Sequence, residues 1–150
     1  MTTREIPIFE NPTKWLADYL YKQLGEKVPV GFDWRDPASD RLAKEISQFA
    51  SLTNPFIVIR CDGGLPIDTF TRYFSYGISV HDSTVETADA LANKVAALFE
   101  ACFYAEHSPI ADAKLNSGPA PIKDKNYDDG TLFYLTGSVT VQARPLKTSF

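Results

Sequence analysis

Two neighbouring segments with different periodicities limit the fold more than any other feature of the sequence. From Phe70 to Val80, apolar and polar residues alternate, which is the period of a half-buried β-strand. From Ser83 to Cys102, apolar residues recur at helical spacing, and Ser83 and Glu86 have the spacing of a capping box. A strand with one apolar face that runs into an amphipathic helix predicts a sheet with a helix packed on that face.

The other periodic segments extend this arrangement. Asn11 as cap, Pro12 at the first helical position and Gly25 at the end predict a helix with a buried stripe, and Pro29 favours an edge position for the strand that follows. The predicted elements are a helix at 11–25, an edge strand at 28–34, a short surface helix within 35–54, a central strand at 55–61 with a turn at 62–64, and a last strand at about 132–143. We therefore predict one α+β domain, residues 1–150: a mainly antiparallel sheet of about four strands with helices packed on one face.

The segment between about Ala105 and Gly130 shows no periodicity and contains three prolines. We predict a long loop here, and since loops of this length are uncommon in a compact domain, we interpret it as an interface arm. The residues assigned to this arm are Ser108, Pro109, Ile110, Lys114, Lys123, Lys125 and Tyr127.

The overall composition excludes several classes of protein. The chain of 150 residues is 44% apolar and 23% charged, which is typical of a globular protein. A formal net charge of −4 argues against a dedicated binder of the phosphate backbone. No stretch has the length of a membrane span, and the first residues lack the pattern of a secretory signal, so we expect a cytoplasmic site of synthesis.

Residues capable of catalysis are few. Cys61 and His81 are the one candidate pair for nucleophilic chemistry, but no third group accompanies them, and we interpret Cys61 as a packing residue and His81 as a turn residue. We expect buried free thiols at Cys61 and Cys102 rather than a disulfide. The acidic residues do not form a metal-binding pattern, and no helix opens after Gly63 and Gly64 to make a phosphate site. We predict no enzymatic activity, no metal and no cofactor.

A set of longer segments carries a resemblance to a known family. These are the helix after Asn11, VPVGFDW, PFIVIRCDGG, TRYFSYGISVHD with the helix ETADALANKVAALFEAC, and TLFYLTGSVTVQARP. In this combination the chain resembles the tail terminator proteins of long-tailed bacteriophages. The resemblance implies a ring, usually hexameric, that caps the tail tube, stops its polymerisation and joins the tail to the head connector in the virion. The segment 35–54 is longer than its counterpart in that pattern.

A tail ring must let DNA pass without holding it. Two predicted strands, at 70–80 and about 132–143, have outward faces that carry no lysine or arginine. We interpret them as the wall of the bore, or as an ordinary solvent face of an antiparallel sheet. The residues on these faces are Thr71, Tyr73, Ser75, Ser79, Tyr134, Thr136, Ser138, Thr140 and Gln142.

Three other functions remain open at the level of sequence. A neck or head-completion subunit would share the ring but contact the portal side. A small ligand-binding or enzymatic α/β domain would place Cys61 and His81 in a pocket. A single-strand nucleic-acid binder would use Tyr73 and Tyr134 as stacking platforms.

Overall fold

The computed structural model describes residues 2–33, 55–123 and 131–149. The predicted helix within 35–54, the end of the predicted edge strand at Trp34, and the proposed arm residues Lys125 and Tyr127 lie outside these ranges. Within them the chain is α+β, with two helices and seven strands in two sheets that are mostly antiparallel. The elements are β1 Thr3–Ile8, α1 Thr13–Gln23, β2 Val30–Asp33, β3 Phe56–Asp68, β4 Thr71–His81, α2 Val85–Glu100, β5 Ile110–Pro121, β6 Leu132–Gln142 and β7 Arg144–Ser149.

The main sheet has five strands in the order β2, β3, β4, β6, β5. Among these described strands only β2 and β3 pair in parallel, and β2 occupies an edge of the sheet as Pro29 predicts. The centre of the sheet is the uninterrupted antiparallel pair of β4 and β6, which runs from Thr71 opposite Gln142 to His81 opposite Leu132. This register pairs the two strands whose alternation is clearest in the sequence, those at 70–80 and about 132–143.

Strands β1 and β7 form a separate two-stranded antiparallel sheet, which we call the ribbon. Opposite charges face each other across it at Glu5 and Lys147, and Arg144 forms an ion pair with Glu10 at 2.7 Å. The guanidinium of Arg72 on β4 lies 4.7 Å from the ring centroid of Phe9, which connects the end of β1 to the main sheet. The sequence analysis did not predict either strand of the ribbon.

Helix α1 begins and ends as its flanking residues dictate. The Asn11 side chain accepts a hydrogen bond from the Thr13 amide at 3.0 Å, although Pro12, not Asn11, occupies the N-cap position. At the other end Gly25 has φ of +76°, and the Gly25 and Glu26 amides donate to the carbonyls of Lys22 and Tyr21. This pair of bonds is the Schellman motif that a glycine after the last turn predicts.

Helix α2 also starts close to its predicted position, but with a different cap. Thr84 and Thr87 exchange hydrogen bonds between side chain and backbone in a capping box, one residue after the predicted Ser83 and Glu86. Alanine and valine on its inner face allow the helix to approach the sheet closely; Ala88, Ala92 and Val95 are fully buried. Among the described residues no helix is long and apolar enough to cross a membrane.

Both helices pack on the same face of the main sheet. Their buried residues join one cluster with the strand residues of that face, among them Ile59, Ile78 and Leu135. One close contact is made by Phe99 of α2, whose ring lies directly over Gly137 and meets the ring of Tyr76 edge-on, with centroids 6.4 Å apart. A Cβ at Gly137 would overlap the Phe99 ring and lie 3.0 Å from the Lys114 carbonyl oxygen, so only glycine fits.

Two predictions about irregular segments are wrong. Residues 110–121 of the predicted loop form the edge strand β5, whose alternation is hidden because register shifts interrupt its pairing with β6. The predicted turn at 62–64 is a bulge inside β3, marked by Gly63 with φ of +99°, and the chain turns only at Thr69 and Phe70. Strand β5 and the ribbon explain why about four predicted strands are too few.

We expect Gly137→Ala to lower the free energy of unfolding by about 1–3 kcal/mol, because the new methyl group forces Phe99 out of its place in the core. Chemical denaturation followed by circular dichroism measures the change. Ser138→Ala, one residue further on and on the other face, is the control and should change stability by no more than about 0.5 kcal/mol. Equal stability of the Gly137→Ala protein and the native protein would contradict this packing.

Candidate interaction surfaces

The face of the main sheet turned away from both helices is the first candidate surface, and we call it the outer face. All of the residues predicted to line a bore lie on it. They pair directly across β4 and β6: Thr71 with Gln142, Tyr73 with Thr140, Ser75 with Ser138, and Ser79 with Tyr134, while Thr136 stands opposite Gly77. Gln142 is exposed and the others are half-buried. Two rows of polar side chains, all but Gln142 bearing a hydroxyl, thus form one strip, which Gly77 interrupts on β4.

A cation that the sequence analysis overlooked lies beside this strip. Arg60 of β3 stands opposite Gly77, and its guanidinium donates from Nε to Asp62 Oδ1 at 2.8 Å and from Nη2 to Asp62 Oδ2 at 3.2 Å. Nη2 also donates to the hydroxyl of Tyr134 at 2.7 Å. The hydrogen bond to Asp62 is the main reason that the pKa of Arg60 is raised.

Gly77 provides the space for this contact. An added Cβ at this position would overlap the Tyr134 hydroxyl and lie 2.9 Å from Arg60 Nη2. Because Tyr134 is opposite Ser79, its ring must lean across the Gly77 position to reach Arg60. The guanidinium carbon is 5.8 Å from the centroid of the same ring, so Tyr134 contacts Arg60 through both its hydroxyl and its face.

Strand β5 adds the other charges of the outer face. Lys114 is paired with Ser138 and Asp112 with Thr140, so both side chains project from the same face as the strip. The outer face therefore carries a second cation next to a second carboxylate. Ser117 and Thr136 are joined by a hydrogen bond between their hydroxyls, which continues the polar strip onto β5.

The second candidate surface is the end of the hairpin formed by β3 and β4. Three large apolar side chains are exposed there: Leu65 by 57%, Ile67 by 56% and Phe70 by 66%. We call these three residues the hairpin tip. Leu65 is opposite Tyr73, so it belongs to the outer face, whereas Ile67 lies at the register shift between Pro66 and Asp68.

The hairpin tip continues into the ribbon. The Phe70 carbonyl accepts a hydrogen bond from the Ala143 amide at 2.7 Å, and the Phe70 side chain lines a shallow cavity of about 150 Å³ with residues of the ribbon, among them Ile6 and Pro145. Leu146, opposite Ile6, is also exposed. Exposed apolar residues that lie together commonly mark an interface.

The predicted interface arm does not exist as a loop. Ile110 is a core residue, Ser108 accepts a hydrogen bond from the Ile110 amide at 3.2 Å, and Lys114 belongs to the outer face. Pro109 precedes β5 and Lys123 follows it. Since β5 is an edge strand of the main sheet, the described part of this segment is not the predicted loop, and its role as an interface stays a prediction.

Cys61 and His81 do not form a pair. Cys61 is opposite Tyr76 on the helix-covered face, whereas His81 is opposite Phe56, five positions along β3 and on the outer face. That separation is about 17 Å along the strand, so neither side chain can activate the other. His81 is not a turn residue: it is the last residue of β4, fully buried, with its ring stacked 5.0 Å from Phe56.

Cys61 takes part in a polar cluster beneath helix α1. Its sulfur accepts a hydrogen bond from Asn11 Nδ2 at 3.6 Å, and the Tyr76 hydroxyl lies 3.0 Å from Thr13 Oγ1 and 3.4 Å from Asn11 Oδ1. Burial is the main cause that raises the pKa of Tyr76, so the phenol remains neutral and can donate a hydrogen bond. The cluster holds the start of α1 against the sheet.

The comparisons with known proteins give no family: the sequence matches neither a protein-family model nor a curated protein. Among residues 2–33, 55–123 and 131–149, no group of three or more histidine, cysteine or acidic side chains is placed to hold a metal ion. The geometry of the two surfaces is therefore what bears on function.

Sequence reasoning missed the strand residues Leu65 and Ile67 because the predicted strand ends at Cys61, whereas it missed the contact of Arg60 because its partner Tyr134 is distant in sequence. The alternation of Leu65 and Ile67 with Pro66 and Asp68 is the signal that could have extended the strand. Two adjacent glycines before that alternation favour a turn, and only the pairing with β4 reveals a bulge instead.

We expect one thiol of the native protein to react with a thiol reagent at pH 8 and two after unfolding. Cys61 is half-exposed, whereas burial raises the pKa of Cys102 to about 12. Only about one Cys102 in 10,000 is then ionised at pH 8, and because the thiolate is the reactive form, it should stay unreacted until the pH approaches 12 or the protein unfolds. Colorimetric thiol titration in buffer and in denaturant measures both values.

The matched variant for this experiment is Cys61→Ala. It should show no reactive thiol in the native state and one in denaturant, while keeping the native circular dichroism spectrum. Rapid labelling of native Cys61→Ala protein at pH 8 would contradict the burial of Cys102.

Proposed function

We propose that the protein is a structural assembly subunit of a long-tailed bacteriophage: a tail terminator that forms a closed homo-oligomeric ring, most simply a hexamer, on the end of the tail tube. In this role it stops polymerisation of the tube and provides the surface to which the head connector joins. The ring would be a virion component assembled from subunits made in the host cytoplasm. No catalysis is part of this function.

The observation that carries the proposal is the hairpin tip. Leu65, Ile67 and Phe70 are more than half exposed and continuous with the ribbon, so a single subunit leaves a substantial apolar surface in water. In a ring each subunit offers one surface to a neighbour and a different surface to the other neighbour. Contact with the next copy would remove the hairpin tip from water, and burial of its apolar side chains would stabilise the ring.

The outer face supports the same function in a second way. If it faces the bore, DNA would meet mainly hydroxyls, such as those of Ser75, Ser138 and Thr140, and among the described strands this face has only Arg60 and Lys114 as cations. Phosphate contacts with lysine and arginine dominate the affinity of proteins for DNA, and a passage for DNA must avoid them. The predicted bore residues keep this role as part of the proposal.

The function is tested by locating the protein in phage particles and measuring its mass in solution. Electron microscopy of tails from the native phage should show one ring between the tail tube and the head connector. In particles made without the protein, we expect tubes of irregular, excessive length. A ring on the portal side of the connector, with tubes of normal length, would instead identify a neck or head-completion subunit.

We expect the double substitution Leu65→Ser/Ile67→Ser to abolish ring formation without unfolding the subunit, because both side chains are exposed and their loss removes apolar area from the interface alone. Size-exclusion chromatography with light scattering measures the oligomer, and circular dichroism measures the fold. Stability should change by no more than about 0.5 kcal/mol.

Val85→Ser is the control, since Val85 is also an exposed apolar residue but lies at the start of α2, away from the hairpin tip. It should assemble like the native protein. Normal rings from the Leu65→Ser/Ile67→Ser protein would show that the hairpin tip is not the interface.

A further inference from the structure

Arg60 of β3 is a cation near the centre of the outer face, and its hydrogen bonds occupy several of its donors. A guanidinium can bind an oxyanion in two bidentate ways: through Nε and Nη2, or through Nη1 and Nη2. Both edges require a hydrogen of Nη2. In this structure one Nη2 hydrogen goes to Asp62 Oδ2 and the other to the Tyr134 hydroxyl, while Nε donates to Asp62 Oδ1.

We propose that Asp62 is an internal counter-ion which, together with Tyr134, keeps Arg60 from binding the phosphates of duplex DNA. Arginine recognises phosphate best through two parallel hydrogen bonds. With both hydrogens of Nη2 engaged, neither bidentate edge is available, and the Asp62 carboxylate repels a phosphate that approaches the remaining donors of Nη1.

Two features of the backbone hold the contact between Arg60, Asp62 and Tyr134 in place. Gly77 lets Tyr134 lean over β4 to reach Arg60, and Asp62 lies at the bulge of β3, where the register shift begins after Cys61. The side chains of Arg60 and Asp62 are 38% and 28% exposed, so their ion pair faces solvent and DNA could reach it. Arg60 is therefore an accessible cation whose phosphate-binding geometry is already occupied.

The role of this arrangement in DNA passage rests on the proposed function, but its chemistry does not. If the outer face lines a bore, every copy would otherwise present an arginine fork to passing DNA. Each additional phosphate that a protein neutralises steepens the slope of log affinity against log salt concentration by about 0.9, so several unmasked forks would hold DNA strongly at low salt. By occupying the donors of Arg60, Asp62 prevents this binding of phosphate.

The test uses the purified full-length protein and one short DNA duplex, with fluorescence anisotropy at a series of salt concentrations. We expect the native protein to bind weakly. Asp62→Asn removes the negative charge and one of the two acceptor oxygens, so the bidentate contact with Nε and Nη2 is lost; affinity should rise and the salt slope should steepen by about 0.9 for each Arg60 that binds a phosphate. Adding Arg60→Gln to Asp62→Asn should return both quantities to native values.

Two further variants decide whether the increase in affinity is specific. Glu100→Gln makes the same change in net charge at an exposed residue at the end of α2, on the helix side of the sheet. It should leave DNA binding unchanged. Arg60→Gln alone should also leave it unchanged, because Arg60 makes no phosphate contact in the native protein. An equal increase from Glu100→Gln, no increase from Asp62→Asn, or a clear loss from Arg60→Gln would each overturn the proposal.

These measurements are independent of where the protein sits in the virion. A failure here would leave the terminator function to be judged by microscopy of tails. Conversely, a protein located elsewhere could still show the predicted effect of Asp62→Asn.

Discussion

The ring and hydroxyl of Tyr76 hold together the parts of this molecule that the sheet alone would not connect. Its ring meets Phe99 of α2 edge-on, and its hydroxyl contacts Thr13 and Asn11 at the start of α1. Because the phenol is buried, these polar contacts form where unpaired groups are costly, so they fix the position of α1 closely. Asn11 follows β1 by only a few residues, so these contacts lie close to the end of the ribbon.

That arrangement leaves one face of the sheet for function. With both helices on the Tyr76 side, the polar residues of β4 and β6 have no described helix to cover them, and the hairpin tip extends beyond the core. The core face is defined by apolar alternation, which is what stabilises the fold. From Thr71 to Ser79 the outer face carries instead hydroxyls and charges that occur next to opposite charges, a pattern that stability does not require, whereas its end at Phe56 and His81 is buried.

Regular periodicity marks the parts of the fold that the sequence predicts. Strands β4 and β6 and helix α2 have clear patterns, and their predicted ranges agree with the structure within a few residues. Strand β5 escapes prediction because register shifts after Ile110, Leu115 and Ser117 destroy its alternation. The ribbon escapes it for a different reason: its two strands pair from opposite ends of the described chain, and short exposed strands have no buried face to reveal them.

The candidate surfaces are predictable to a similar degree. The nine residues of the bore prediction follow from alternation alone, and they do share one face. The contact between Arg60, Asp62 and Tyr134 could not be found in this way, because it joins residues 74 positions apart through a pairing that only the fold supplies. Local patterns identify the face of a strand, whereas the neighbours on that face depend on strand order.

Two glycines at the centre of the sheet show how closely the core and the outer face are linked. Gly137 stands opposite Tyr76 and admits the ring of Phe99 on the helix side, while Gly77, the next residue along β4, admits Tyr134 and Arg60 on the other side. Each of the two aromatic rings, Phe99 on one face and Tyr134 on the other, thus packs against a glycine that has no side chain. A shift of β4 relative to β6 would misplace both contacts at once, since a slip of one residue exchanges the faces of every side chain. The register that brings the Phe99 ring over Gly137 is therefore the same register that brings Tyr134 to Arg60, and a change of register would disrupt both contacts.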